Sequence, residues 1–91
     1  MKVNRNLSGI QKVVDNLESK GYNLSLDHSY NSTIIICKLP TGRTFYSESF
    51  CHPNDVFNRV IGTRIAFRRL MSVLHDYFGR EELKRILKKQ D

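Results

Sequence analysis

Thr33-Ile34-Ile35-Ile36-Cys37-Lys38-Leu39 (TIIICKL, residues 33–39) is the stretch from which the rest of the chain can be placed. Its β-branched side chains are stiff at χ1 and favour extended backbone. It is apolar on both alternating faces up to Lys38, which suits a strand at the centre of a sheet. A central strand needs two neighbours, and the flanking sequence supplies both. Upstream, Tyr22, Leu24 and Leu26 alternate with Asn23, Ser25 and Asp27, the period-two pattern of a half-buried strand over 22–28. The turn between them falls at Tyr30-Asn31-Ser32. Downstream, Pro40-Thr41-Gly42 makes a second turn, proline fixing φ and glycine free to take φ > 0. A third strand over 43–51 follows, with Phe45 on one face and Thr44, Tyr46 and Phe50 on the other.

Helical spacing takes over on either side of this meander. Ser8 and Gln11 read as a capping box, with Leu7 placed to staple onto the first turns. Ile10, Val13, Val14 and Leu17 then recur on one side, and Gly21 is placed to end a helix over 8–20. After the sheet, Cys51-His52-Pro53 breaks the pattern, and Asn54 or Asp55 can cap a helix carrying Val56, Phe57, Val60 and Ile61. Gly62 interrupts that run and Thr63 can restart it. A single helix over 55–78 and two helices parted at Gly62 are both compatible with the sequence. Gly79 separates a last helix over 80–89, where Glu81 and Glu82 suit its N-terminal end and Lys84, Arg85, Lys88 and Lys89 its C-terminal end. The expectation is one small α+β domain over residues 1–91. Its order is α-β-β-β-α-α, with helices packed on one face of a three-stranded antiparallel sheet.

Composition narrows the function classes. At 91 residues, 40% hydrophobic and 26% charged, the chain reads as globular and not as a disordered segment. No apolar run approaches the ~18 residues of a membrane span, and the first residues lack the apolar region of a signal peptide. A cytoplasmic location is expected, with no membrane partner. Cys37 and Cys51 are too few for a disulfide framework and read as thiols. A zinc site drawn from Cys37, Cys51, His28 and His52 lacks any recognisable ligand spacing, and a Cys–His nucleophile is equally unsupported. The carboxylates are scattered and Gly42, Gly62 and Gly79 form no phosphate loop. No catalytic residue, metal or cofactor is expected, and the chain reads as a non-enzyme.

Charge points instead to binding. The chain carries 15 Lys and Arg against 9 Asp and Glu, a formal +6. From Val56 onward nine basic residues stand against four acidic ones, so +5 of that excess lies in the C-terminal part. On a helical wheel of residues 63–78, Ala66, Phe67, Leu70, Met71, Val73, Leu74, Tyr77 and Phe78 share an arc of about 160°. Arg64, Arg68, Arg69, Ser72, His75 and Asp76 occupy the other side, and Ile65 alone breaks the division. Arg64 and Arg68 stand one turn apart, where like charges repel by about 0.2–0.5 kcal/mol. The planar guanidinium suits phosphate or carboxylate because it bonds two oxygens at once. Arg64, Arg68, Arg69 and His75 are therefore the candidate partner-binding residues, with Arg59, Lys84, Arg85, Lys88 and Lys89 as satellites. A merely solvated helix face has the same pattern. The sheet offers a second surface: either Ile34 and Ile36, or Ile35, Cys37 and Leu39, stay open beside Tyr46 and Phe50, a setting for a partner or a homodimer.

Two resemblances extend this reading. Residues 39–70 resemble a pattern of small uncharacterised phage and prophage proteins, a glycine turn and a strand followed by Cys51, Pro53, Asp55, Phe57, Asn58, Gly62, Ile65 and Ala66. That resemblance implies a bacterial host cell and no defined activity. The element order is similar to that of double-stranded-RNA-binding domains, with Thr63, Arg64 and Arg68 at the place where that family contacts phosphates. That family's lysine pair after a glycine-rich loop has no counterpart here, and the Ser29–Ser32 turn is short. The same order resembles some small anti-CRISPR proteins, which block a Cas effector by binding it. The expected function is thus a non-enzymatic phage-type binding protein that inhibits a host protein or ribonucleoprotein through a basic helix face. The alternative is direct binding of nucleic acid.

Overall fold

The computed structural model describes residues 1–51 and 58–88. Its sheet is an antiparallel meander of β1 (Asn23–His28), β2 (Ser32–Lys38) and β3 (Thr44–Phe50), with the TIIICKL strand in the middle. A 3-10 turn at Arg5–Leu7 leads into α1 (Ser8–Ser19); α2 (Arg59–Phe78) and α3 (Arg80–Leu87) follow the sheet. This is the expected α+β order, helix-β-β-β-helix-helix.

Strand register settles which face the helices cover. Leu24 stands opposite Cys37 and Leu26 opposite Ile35, while Cys37 and Ile35 face Phe45 and Ser47 across β3. The odd-numbered face of β2 therefore continues as an apolar surface through Leu24 and Leu26 on one side and Phe45 on the other. Ile35 and Cys37 are fully buried, together with Val14 and Leu17 of α1 and Ala66, Leu70 and Leu74 of α2. Leu83 ties α3 into the same core. Ile34 and Ile36 lie on the other face, which no helix of the described residues covers; Ile36 is 42% exposed.

The inner face of β3 inverts the usual pattern. Ser47 and Ser49 point inward and are buried, while Tyr46 and Phe50 point out. The reason is the close approach of α2. A Cβ at Gly62 would lie 2.5 Å from Thr33 Oγ1, so only glycine lets the helix sit this near the sheet. The Ser49 hydroxyl donates to the Gly62 carbonyl at 2.8 Å and the Ser47 hydroxyl to the Ala66 carbonyl at 2.7 Å. Those two bonds satisfy hydroxyls that would otherwise be costly to bury.

Helix ends differ from the sequence expectation in two places. Ser8 does not form a capping box with Gln11. The 3-10 turn before it makes Leu7 the N-cap residue, which offers no side-chain acceptor. Gln11 instead accepts from the Val3 amide at 2.8 Å and donates to the Met1 carbonyl at 2.9 Å, because the first three residues fold back along α1. At the other end Gly21 takes φ 92°, its amide bonds the Glu18 carbonyl, and the Tyr22 amide bonds the Leu17 carbonyl. That is the paired closure of a Schellman motif.

The second difference concerns the long helix. α2 runs unbroken through Gly62 and starts at Arg59, not at 55. Asn58 caps it, its Oδ1 accepting from the Val60 and Ile61 amides at 2.9 and 3.1 Å. Residues 52–57, including the expected caps Asn54 and Asp55, lie outside the described residues, as does Lys89.

Candidate functional site

α2 presents its core side to the sheet through Gly62, Thr63, Ala66, Phe67, Leu70 and Leu74, all buried. Opposite them, Arg64, Arg68 and His75 are exposed and fall within about 40° of one another around the helix. Along the axis the stripe extends about 16 Å, with the two arginines about 6 Å apart. Among the described residues neither Arg64 nor Arg68 has an ion-pair or hydrogen-bond partner. His75 lies 4.0 Å from the exposed Asp76 carboxylate.

The other candidates divide. Arg69 is exposed but not idle: its guanidinium donates to the Glu48 carbonyl at 2.8 Å. It sits on the flank of α2 that overhangs β3, and it covers one acceptor on an edge strand that has no further neighbour. Arg59, the first residue of α2, lies close enough to His28 to help hold that imidazole's pKa below its ordinary value, after burial and against Asp27. Lys84 and Arg85 are exposed on α3 and Lys88 just past its end, and Arg85 is paired to Glu82 at 3.0 Å. Arg64, Arg68 and His75 are thus the candidates gathered on the outward stripe of α2.

Ile61, half exposed, stands beside Arg64 and Arg68 on the same outward arc, although the sequence placed it in one apolar run with Val56, Phe57 and Val60. Tyr77 also departs from its expected place. It is 45% exposed and lies against Phe45 of the sheet, at 4.9 Å between ring centroids. The Arg43 guanidinium lies over both rings, 4.9 Å from Tyr77 and 5.6 Å from Phe45. Nothing in the sequence spacing singles out Arg43; strand pairing alone brings it to α2. Lys20 was equally unmarked. Its ammonium donates to the Ile86 and Lys88 carbonyls, and Asn16 donates to the Leu87 carbonyl at 2.8 Å, so α1 caps the C-terminus of α3.

Cys37 is buried in the core and burial pushes its thiol up to about 11, the wrong direction for a nucleophile. His28 pairs with Thr33 while Cys37 lies four residues further along β2, about 13 Å away. The mooted zinc ligands Cys37 and His28 therefore do not come together. Among the described residues no group of three His, Cys, Asp or Glu side chains could hold a metal ion, and no helix is long and apolar enough to cross a membrane. Comparison with protein-family models, curated proteins and solved structures finds no match to this chain.

Proposed function

We propose that this domain is a non-catalytic binding protein of phage type, which obstructs a host protein or ribonucleoprotein by docking the outward stripe of α2 on an acidic surface. The observation that carries the reading is the pair Arg64 and Arg68, exposed one turn apart with no carboxylate of the described chain beside them. Two unneutralised guanidiniums at that spacing match two carboxylates or two phosphates of a partner. Ile61 favours a protein-containing target. A phosphate backbone offers an exposed isoleucine nothing to bury against, whereas an acidic protein surface with an apolar centre does. The resemblance of residues 39–70 to small phage proteins supports the biological setting. Direct nucleic-acid binding is the second reading, favoured by the formal charge of +6.

Affinity capture from a bacterial lysate, with and without nuclease, separates them. The inhibitor reading expects a defined protein that survives nuclease and is lost from the Arg64→Ala/Arg68→Ala double variant while the far-UV circular dichroism stays unchanged. Recovery of nucleic acid alone, with affinity falling at a slope of about 0.9 per phosphate neutralised as salt rises, establishes the second reading instead.

A further inference from the structure

The face of the sheet that the helices leave open is amphiphilic and ordered in rows. Ile36 of β2 and Tyr46 of β3 stand opposite each other at its centre, and both are exposed, Tyr46 by 70%. One row away lies Lys38. One row the other way, Asp27 of β1 and Glu48 of β3 flank Ile34. The positive and negative charges thus sit on opposite sides of an apolar centre, at equal spacing along the strands.

We propose that this face is the contact between two copies of the chain, packed sheet to sheet about a two-fold axis that runs across the strands at the Ile36–Tyr46 row. Such an axis exchanges the two flanking rows. Lys38 of each copy then meets Ile34 of the other, between the Asp27 and Glu48 carboxylates, while Ile36 and Tyr46 bury against their own counterparts. An isologous contact requires a patch that is complementary to itself, and this arrangement of one lysine against two carboxylates is. Sheets packed face to face lie about 10 Å apart with strands nearly aligned, which suits the length of these side chains.

A single-stranded nucleic acid is the other occupant that exposed aromatics suggest, and the face is poorly built for it. Tyr46 and Phe50 stand four residues apart on β3, about 13 Å, further than neighbouring bases. Glu48 lies between them on the same face, where it would repel phosphate. Size sets the strength of the self-contact. Three strands of up to seven residues cover roughly 14 by 23 Å. That is well under the ~800 Å² per partner of a standard interface, so the dimer is weak and reversible. The Arg64–Arg68 stripe lies on the far side of each copy and is untouched.

Analytical ultracentrifugation over about 1 μM to 1 mM reads this directly. The wild-type chain passes from monomer to dimer within that range, and Tyr46→Ser moves the midpoint upward by about tenfold or more. Lys38→Glu puts three carboxylates together in each contact and also weakens it. Adding Glu48→Lys to Lys38→Glu returns one cation among two anions and restores association. Tyr46 and Lys38 are exposed and Glu48 is half-buried, and each variant is checked for an unchanged thermal midpoint; the charge pair tests the contact independently of Tyr46. A chain that stays monomeric throughout, a dimer indifferent to both Tyr46→Ser and Lys38→Glu, or binding of a single-stranded oligonucleotide that Tyr46→Ser abolishes overturns the proposal.

Discussion

Replacing Gly62 by alanine is the sharpest probe of how α2 meets the sheet. In an exposed helix interior this change stabilises by about 1 kcal/mol, because alanine is the better helix former. Here the new Cβ would lie 2.5 Å from Thr33 Oγ1, 3.4 Å from Thr33 Cβ and 3.5 Å from Ser49 Oγ. Thr33 is fully buried and its hydroxyl bonds His28 Nδ1 at 2.9 Å, so it cannot swing aside without breaking that bond. Overpacking of this kind costs about 1–3 kcal/mol and a lost buried hydrogen bond about 1 more. Set against the propensity gain, Gly62→Ala is expected to destabilise by about 1–3 kcal/mol. In a domain of this size that lowers the thermal midpoint by roughly 5–20 °C. Urea unfolding followed by circular dichroism measures it. Thr33→Ala in the same chain removes the clashing hydroxyl, so the double-mutant cycle should show the two changes compensating by about 1–2 kcal/mol. A Gly62→Ala variant more stable than wild type, or two strictly additive effects, would refute the close approach.

Three further outcomes follow from the same geometry. Asn58→Ala removes the acceptor for the Val60 and Ile61 amides and should cost about 1 kcal/mol in chemical denaturation, with Asn58→Asp recovering most of it. Cys37, buried with its thiol pushed up to about 11, should resist alkylation at mild alkaline pH until the chain unfolds, so mass spectrometry of trapped samples reports labelling at Cys37 only at the opening rate. His28 has its pKa held below 6.5 by burial first and Arg59 second, with Asp27 opposing. The unfolded chain therefore binds the proton more readily. His28's contribution is intact above about pH 6.5 and is lost as pH falls toward the folded value, and a His28→Gln variant should show a flatter acid limb in its stability profile.

Much of this molecule was written locally. The β-branched run at 33–39, the alternation of Leu24 and Leu26 with polar neighbours, and the turn at Pro40-Thr41-Gly42 each act over a few residues, so the meander was legible from sequence. So was the outward placement of Arg64, Arg68 and His75, because a helix converts spacing directly into direction. Gly62 misled in part: read alone it interrupts a helix, yet in contact with Thr33 it is what allows α2 to lie against β2 unbroken.

Tertiary structure decided the rest through contacts between residues distant along the chain. Periodicity told that TIIICKL has two apolar faces but not which one the helices would take. That choice came from register, which lined Leu24, Leu26 and Phe45 up with Ile35 and Cys37 and left Asp27, Lys38 and Glu48 around Ile34 and Ile36. Ser47 and Ser49 went inside because α2 carbonyls were there to accept from them, and Arg69 turned aside to the Glu48 carbonyl. A side chain's direction is set by its own backbone, whereas its cover and its partners depend on which distant segment arrives beside it.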